Sequence, residues 1–210
     1  MIRVLVADDH ALVRQGLREI LSATPDIRVV AEAEDQGQTL AAVEEHSPDV
    51  VLLDISMPGR GGLDTLKEIR SRGWRVHVLV LSMHPEEQYA VRAIRAGAAG
   101  YVTKGVSGDT LADAIRTAST GKPYITPTVA EQLASHLSDW AGENPHEQLS
   151  DREFQVLILI ASGTSVTQAA AELSLSVQTV STYRSRILQK MRMRTNAELT
   201  HYAVVRGLVT

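Results

Sequence analysis

The sequence predicts an α/β fold, a doubly wound parallel sheet of five strands, followed by a smaller all-α unit of four helices. Three observations predict it. Strand and helix signals alternate five times over residues 1–120, the pattern of a parallel sheet wrapped by helices. Apolar strand signals run into Asp8-Asp9, Asp54 and Ser82. Beyond residue 149 the strand signals stop, and hydroxyl residues followed three places later by Glu or Gln mark helix starts.

The first strand is Ile2-Arg3-Val4-Leu5-Val6-Ala7, closed by Asp8-Asp9. Further strands are expected at 27–33, 49–53, 76–81 and 99–102, with amphipathic helices near 11–23, 36–46, 62–72, 86–96 and 107–119. In the third strand the four apolar residues Val50 to Leu53 suit a central strand covered on both faces. Asp54 ends it, and Pro58 and Gly59 then bar further regular structure. From Gly121 the pattern weakens. Lys122-Pro123, Thr126-Pro127 and Gly142-Glu143-Asn144-Pro145 punctuate it, so residues 121–147 read as a linker carrying one helix near 127–139.

Residues 148–210 form the second unit, with helices near 150–162, 165–173, 176–191 and 195–206. Ser150 with Glu153, Ser165 with Gln168 and Thr195 with Glu198 match the capping-box spacing. Ser176 caps the third of these helices, while Gly163 and Ser174-Leu175 supply turns.

The chain has no cysteine, so disulfides and thiolate metal sites are excluded. No apolar run approaches membrane-spanning length and no signal segment opens the chain. A cytoplasmic protein with no membrane partner is expected. The net charge of −4 is uneven. Residues 150–210 carry seven Lys/Arg against four acids, hence +3, which leaves −7 for residues 1–149. Five of those cations fall between residues 184 and 194, which points to a polyanion partner for the second unit.

A carboxylate at the C-terminal lip of a parallel strand sits where open α/β sheets place their ligands. Asp8, Asp9 and Asp54 would repel one another there unless they share a cation. A carboxylate can attack phosphorus, and that chemistry needs a divalent ion for which an oxygen set suits Mg²⁺. Lys104 can add a fixed ammonium and Ser82 a hydroxyl. Singly, each residue has a plainer reading: Asp8, Asp9 and Ser82 as helix caps, Lys104 as a surface lysine. Their placement on successive strand ends of one sheet favours a site with Asp54 as its active member.

Asp8-Asp9, Asp54 with Met57-Pro58-Gly59, Ser82 after Val78-Leu79-Val80-Leu81, and Gly100-Tyr101-Val102-Thr103-Lys104 together resemble the receiver domain of two-component response regulators. The resemblance spans residues 1–120. It implies a flavodoxin-like fold in which Asp54 accepts a phosphoryl group from a sensor histidine kinase. It implies that Asp8, Asp9, Asp54 and the Ser56 carbonyl hold Mg²⁺, and that Ser82 and Tyr101 form a switch. Ser56 and His84 occupy positions that vary in the family and tune phosphoryl lifetime.

On a helical wheel, residues 176–191 put Val177, Val180, Ile187, Leu188 and Met191 on one side, a core stripe. The other side carries Gln178, Ser181, Thr182, Ser185, Arg186 and Gln189, a polar face suited to a major groove. Arg184 lies beside the apolar stripe, with its stem packed and its head reaching out. Leu149-Ser150-Asp151-Arg152-Glu153, Ile160-Ala161-Ser162-Gly163, Ala170-Ala171-Glu172-Leu173, Leu175-Ser176, Thr179-Val180 and Ile187-Leu188-Gln189-Lys190-Met191 resemble the LuxR-type helix-turn-helix of the NarL/FixJ class. That resemblance implies binding to double-stranded promoter DNA, with Thr179 also in the contact set. Ser181 and Tyr183 stand where the family often has Lys and His, so the bases read by Ser181, Thr182 and Ser185 should differ. Arg184, Arg186 and Lys190 suit phosphates, which position without specifying. Leu199, Tyr202, Ala203 and Val205 of the last helix serve either a homodimer, formed on phosphorylation or on DNA, or the core. The seven histidines show no metal-ligand spacing.

Two rivals stand beside this reading. An aspartate-nucleophile phosphohydrolase would place a second carboxylate two residues after the nucleophile, where this chain has Ser56. A regulator that binds DNA without phosphorylation would not need the full acid set with Ser82 and Lys104. No enzymatic turnover is expected beyond self-phosphorylation and slow self-hydrolysis.

Overall fold

The computed structural model describes residues 1–57, 61–138 and 144–209. It divides into two compact units, Met1–Leu133 and Ala134–Thr210. The first unit alternates β1 (Ile2–Ala7), α1 (Ala11–Ser22), β2 (Ile27–Ala33), α2 (Gln36–His46), β3 (Val50–Asp54), α3 (Gly61–Ser71), β4 (His77–Ser82), α4 (Glu86–Arg95), β5 (Gly100–Thr103) and α5 (Gly108–Ser119). All strands are parallel, in the order β2-β1-β3-β4-β5. This is the expected doubly wound sheet, with crossovers that send helices to both faces.

The alternation of strand side chains divides the core. Val4, Val6, Val50, Leu52, Leu79, Leu81 and Val102 pack with Leu21 of α1 and with Leu111, Ala114, Ile115 and Ala118 of α5. The intervening Leu5, Val51, Leu53, Val78 and Val80 are equally buried, so the sheet is covered twice and its central strands read as unbroken apolar runs. Burying one such Leu or Val side chain contributes roughly 1.5–3 kcal/mol.

Three strand ends sit one residue later than the apolar runs suggest, at 50–54, 77–82 and 100–103. The ladder explains the shift. Asp54 pairs with Leu81 and Ser82 with Thr103, so hydrogen bonding carries the strands past their apolar stretch and takes both polar residues into the sheet. Pro58 and Gly59, read as stopping that strand, lie outside the described residues.

After α5 the linker expectation is modified. Tyr124 bridges Gly100 in parallel, and its N–H donates to Ala99 O at 2.7 Å. The chain therefore runs along the free edge of β5 before α6 (Pro127–Ser138) begins. Thr126 accepts from Val129 N at that helix start and hydrogen-bonds the Glu86 carboxylate of α4. Asp139, Trp140 and Gly142-Glu143 lie outside the described residues.

The second unit holds a short 3-10 turn at Pro145–Gln148, then α7 (Asp151–Ala161), α8 (Val166–Glu172), α9 (Val177–Lys190) and α10 (Asn196–Val205). Ser150 and Ser165 close complete capping boxes with Glu153 and Gln168, and Ser176 caps α9 through Thr179 N at 3.0 Å. The third box is only half made. Thr195 caps α10, but Glu198 turns its carboxylate to Arg194 N at 2.9 Å. Phe154, Leu157, Val180, Ile187, Leu199 and Ala203 are buried at the centre of this unit.

Candidate functional site

The C-terminal edge of the sheet gathers Asp8, Asp54, Ser82 and Lys104. Parallel pairing of β3 with β1 and β4 sets Asp54 between the ends of its neighbours. Asp8 and Asp54 are 0 % and 1 % exposed. The Lys104 ammonium lies 2.6 Å from Asp8 Oδ2 and 3.1 Å from Asp54 Oδ2. Lys104 N also donates to Ser82 O at 2.8 Å, which ties the lysine's backbone to the end of β4. Ser56 N donates to Asp54 Oδ1 at 3.2 Å.

Burial pushes the Asp54 carboxyl above the usual carboxylate range, and the Asp8 charge adds to this while Lys104 opposes it. For Lys104, burial by itself disfavours the ammonium, yet the Asp54 and Asp8 carboxylates outweigh it and raise its pKa. One ammonium thus stands among acids that outnumber it. Beyond that ammonium, Asp8 Oδ2 and Asp54 Oδ2 have no hydrogen-bond donor among the described residues. A ligand atom from each of Asp8, Asp9, His10 and Asp54 lies within 4.8 Å of the others. Hard oxygens, excess negative charge and orphaned buried acceptors fit a divalent cation.

A second constellation adjoins the first. Ser82 Oγ accepts from His84 N at 3.0 Å, and Tyr101 OH donates to His84 O at 2.9 Å. Both hydroxyls therefore grip the backbone of residue 84, and the Tyr101 ring is 1 % exposed. The His84 ring lies 4.9 Å from that of Tyr89 on α4.

Sequence reasoning missed three contributors. His10, read as structural, brings Nδ1 to 3.0 Å from Asp9 Oδ1. Arg14, buried on α1, donates to Asp8 O at 2.7 Å and is itself held by Glu34 at 2.5 Å. Gly62 packs against the backbone of Asp54: a Cβ there would fall 2.1 Å from Asp54 O. Only this last has a signal in the sequence, the Gly61-Gly62 pair.

In the second unit, Gln178, Thr182, Ser185, Arg186 and Gln189 of α9 are exposed, while Thr179, Ser181 and Arg184 are half-buried. Thr182 and Ser185 donate their hydroxyls to Gln178 O and Ser181 O at 2.9 and 3.1 Å, so outwardly they offer acceptors. The Thr179 hydroxyl is bonded to Ser176 Oγ at 2.7 Å, a partner within the cap. One expectation needs correction, and several other side chains take partners within this unit. Val177, placed in the core stripe, is 48 % exposed, because side chains of the first helical turn lean back past the end of the packed face. Arg184, expected to reach outward, donates through Nε to Asn196 Oδ1 at 2.7 Å, fastening α9 to the start of α10. Lys190, expected to face a phosphate, pairs with the buried Glu153 carboxylate at 2.6 Å. In α10, Leu199 and Ala203 belong to the core, Tyr202 OH meets His146 Nδ1 at 2.6 Å, and Val205 is exposed.

Comparison with known proteins identifies both halves. Residues 4–116 match the response regulator receiver domain family, and residues 147–203 match the bacterial regulatory proteins of the luxR family. The chain is 38 % identical to the response regulator UvrY of Escherichia coli over 209 residues, 99 % of this chain and 96 % of that one. It is also 38 % identical to the response regulator GacA of Pseudomonas aeruginosa over 210 residues, 100 % of this chain and 98 % of that one. Among solved structures, RcsB of Salmonella enterica serovar Typhimurium, bound to promoter rprA with phosphomimetic BeF₃⁻, matches with a TM-score of 0.63 at 26 % identity. That match covers 96 % of this chain and 97 % of RcsB. Among the described residues no helix is long and apolar enough to cross a membrane. By these matches the chain belongs to the NarL/FixJ class of two-component response regulators, a receiver domain joined to a LuxR-type DNA-binding domain.

Proposed function

We propose that this response regulator is switched by phosphorylation of Asp54 and binds promoter DNA as a homodimer. Residues 1–120 serve as receiver, 121–147 as linker and 148–210 as DNA-binding domain, in a cytoplasmic protein. The observation that carries the proposal is the convergence of Asp8, Asp54 and Lys104 within ion-pair distance at one sheet edge.

An Asp54 carboxylate oxygen attacks the phosphorus of a phosphohistidine on the sensor kinase. The P–O bond forms as the P–N bond breaks, and the leaving imidazole nitrogen takes a proton. Asp8, Asp9, Asp54 and the Ser56 carbonyl would hold Mg²⁺, which supplies positive charge to the phosphoryl oxygens. Lys104 gives a further, fixed positive charge beside the nucleophile. The aspartyl phosphate adds nearly two negative charges and strong acceptors. Ser82 then exchanges the His84 N–H for a phosphoryl oxygen, which loosens the backbone that Tyr101 OH also holds. Two packings of the residue 84 region are thereby biased by one charge change. An apolar cavity of about 190 Å³ lined by Val13, Gly16, Leu17, Ile20 and Leu111, with Lys104 at its edge, supports docking of the kinase beside the acids.

In the second unit α9 enters the major groove. Gln178, Ser181, Thr182, Ser185 and Gln189 read bases, and Arg186 contacts a phosphate. Incubation with Mg²⁺ and a small acyl phosphate, then footprinting on randomised DNA, tests the whole. Labelling lost in Asp54→Asn and a paired half-site footprint are expected. Labelling that survives Asp54→Asn refutes the phosphoacceptor, and multiple turnover of the donor would favour a phosphohydrolase.

A further inference from the structure

His10 stands at the acid site although no spacing in the sequence marks it as a ligand. Its Nδ1 lies 3.0 Å from Asp9 Oδ1 and 3.4 Å from Asp8 Oδ1. An octahedral ion that holds neighbouring ligands at about 2.1 Å keeps them about 3.0 Å apart. Ring nitrogen and carboxylate are therefore already spaced for one shared ion. The backbone that presents the ring is fixed, since His10 N donates to Asp8 Oδ1 at 2.9 Å and His10 O accepts from both Val13 N and Arg14 N at the start of α1. The ring itself is 67 % exposed, so an incoming ion disturbs no packing. Independently of the ring, Asp8 Oδ2 and Asp54 Oδ2 are buried and, apart from the single Lys104 ammonium they share, have no hydrogen-bond donor among the described residues, which leaves room for a cationic ligand at this place.

We propose that His10 is a fourth side-chain ligand, making this a mixed carboxylate–imidazole site that takes divalent transition ions such as Co²⁺ or Zn²⁺ in competition with Mg²⁺. The inference rests on the acid-site reading above and deepens it. Its chemistry is ligand preference. Mg²⁺ favours oxygen donors and keeps several waters, whereas imidazole suits Zn²⁺ and its transition-metal neighbours. Removing the ring should therefore weaken one class of ion and leave the other.

The experiment uses the full chain stripped of metal, titrated with Co²⁺ by visible absorption and with Mg²⁺ by calorimetry. Only the Co²⁺ signal that excess Mg²⁺ displaces is counted, which sets aside the other six histidines. Wild type should bind one displaceable Co²⁺. In His10→Ala and His10→Gln its affinity should fall at least about tenfold, since losing even an outer partner of a ligand costs about that much, with Mg²⁺ affinity unchanged. Melting curves matching wild type confirm that the fold is intact. Equal Co²⁺ affinity in wild type and both variants, or no displaceable Co²⁺, overturns the role of His10 while Mg²⁺ binding stands. Failure of the acid-site reading looks different: Mg²⁺ would not bind the wild type, or would bind Asp8→Asn as well.

Discussion

The Lys104 ammonium sits 3.1 Å from the Asp54 carboxylate although fifty positions separate them in the chain. It bridges at the same time to Asp8, from the opposite end of the receiver domain. One cation holding two buried acids is a structural clamp, set among acids that could hold a metal ion.

Substituting Lys104 by Ala should separate these roles. Breaking a buried ion pair costs about 3–5 kcal/mol, so the metal-free variant should melt earlier. Mg²⁺ affinity should rise, because the resident competitor for Asp8 and Asp54 is gone. Calorimetric titration and thermal melts with and without Mg²⁺ check both; Mg²⁺ affinity that falls would refute the competition.

The raised pKa of Asp54 has a definite sign. Its protonated form is favoured in the folded state, so this group's stabilising contribution is complete below the ordinary carboxylate value and is lost as pH rises through the raised one. Asp54→Asn has no such loss. Above the raised value and without metal, the variant should melt higher than wild type, and the gap should close on acidification.

Gly62 admits no side chain. Because a Cβ would fall 2.1 Å from Asp54 O and 2.7 Å from Ile55 Cα, Gly62→Ala must displace backbone rather than a flexible side chain. We expect roughly 1–3 kcal/mol of destabilisation together with slower labelling of Asp54. A variant with wild-type labelling rate and stability would show that the loop gives way freely.

Arg186 and Lys190 should behave differently in DNA binding despite their like charge. Arg186→Ala should reduce the salt dependence of binding by about one phosphate contact. Lys190→Ala should leave that slope alone and destabilise the second unit instead. Glu153, its partner, is desolvated, but the Lys190 and Ser150 hydrogen bonds prevail and lower its pKa. Stability from Glu153 is therefore present above the ordinary Glu value and lost as pH falls through the lowered one, a loss that Glu153→Gln should lack.

The cavity between α1 and α5 opens at Gly16, where an added Cβ meets nothing within 4 Å. Gly16→Leu should fill it. Phosphotransfer from the cognate kinase should drop about tenfold or more, equivalent to about 1.4 kcal/mol. Labelling from a small acyl phosphate, which needs no docking surface, should persist; a loss of both would indicate damage to the acid site.

The Asp8-Asp9 pair, Asp54 and the Ser150 and Ser165 caps were legible because each depends on neighbours within a few residues. A strand end or a helix start is a local event, and its polar residue announces it. The third capping box shows the limit of that logic: its spacing is right, yet Glu198 finds Arg194 N instead. Periodicity likewise placed Ile187 and Val180 in the core but misjudged Val177, since a wheel has no ends and a real helix does.

The order of strands and helices, the carboxylate at each relevant strand end and the polar face of α9 belong to the sequence itself, because hydrophobic period and backbone capping act along the chain. Tertiary structure alone decided that His10 turns toward Asp9, that Arg14 holds Asp8 in place and that Lys190 serves Glu153. Those partnerships join side chains whose directions are set by packing between elements, where burial forces a charge to find its counterpart.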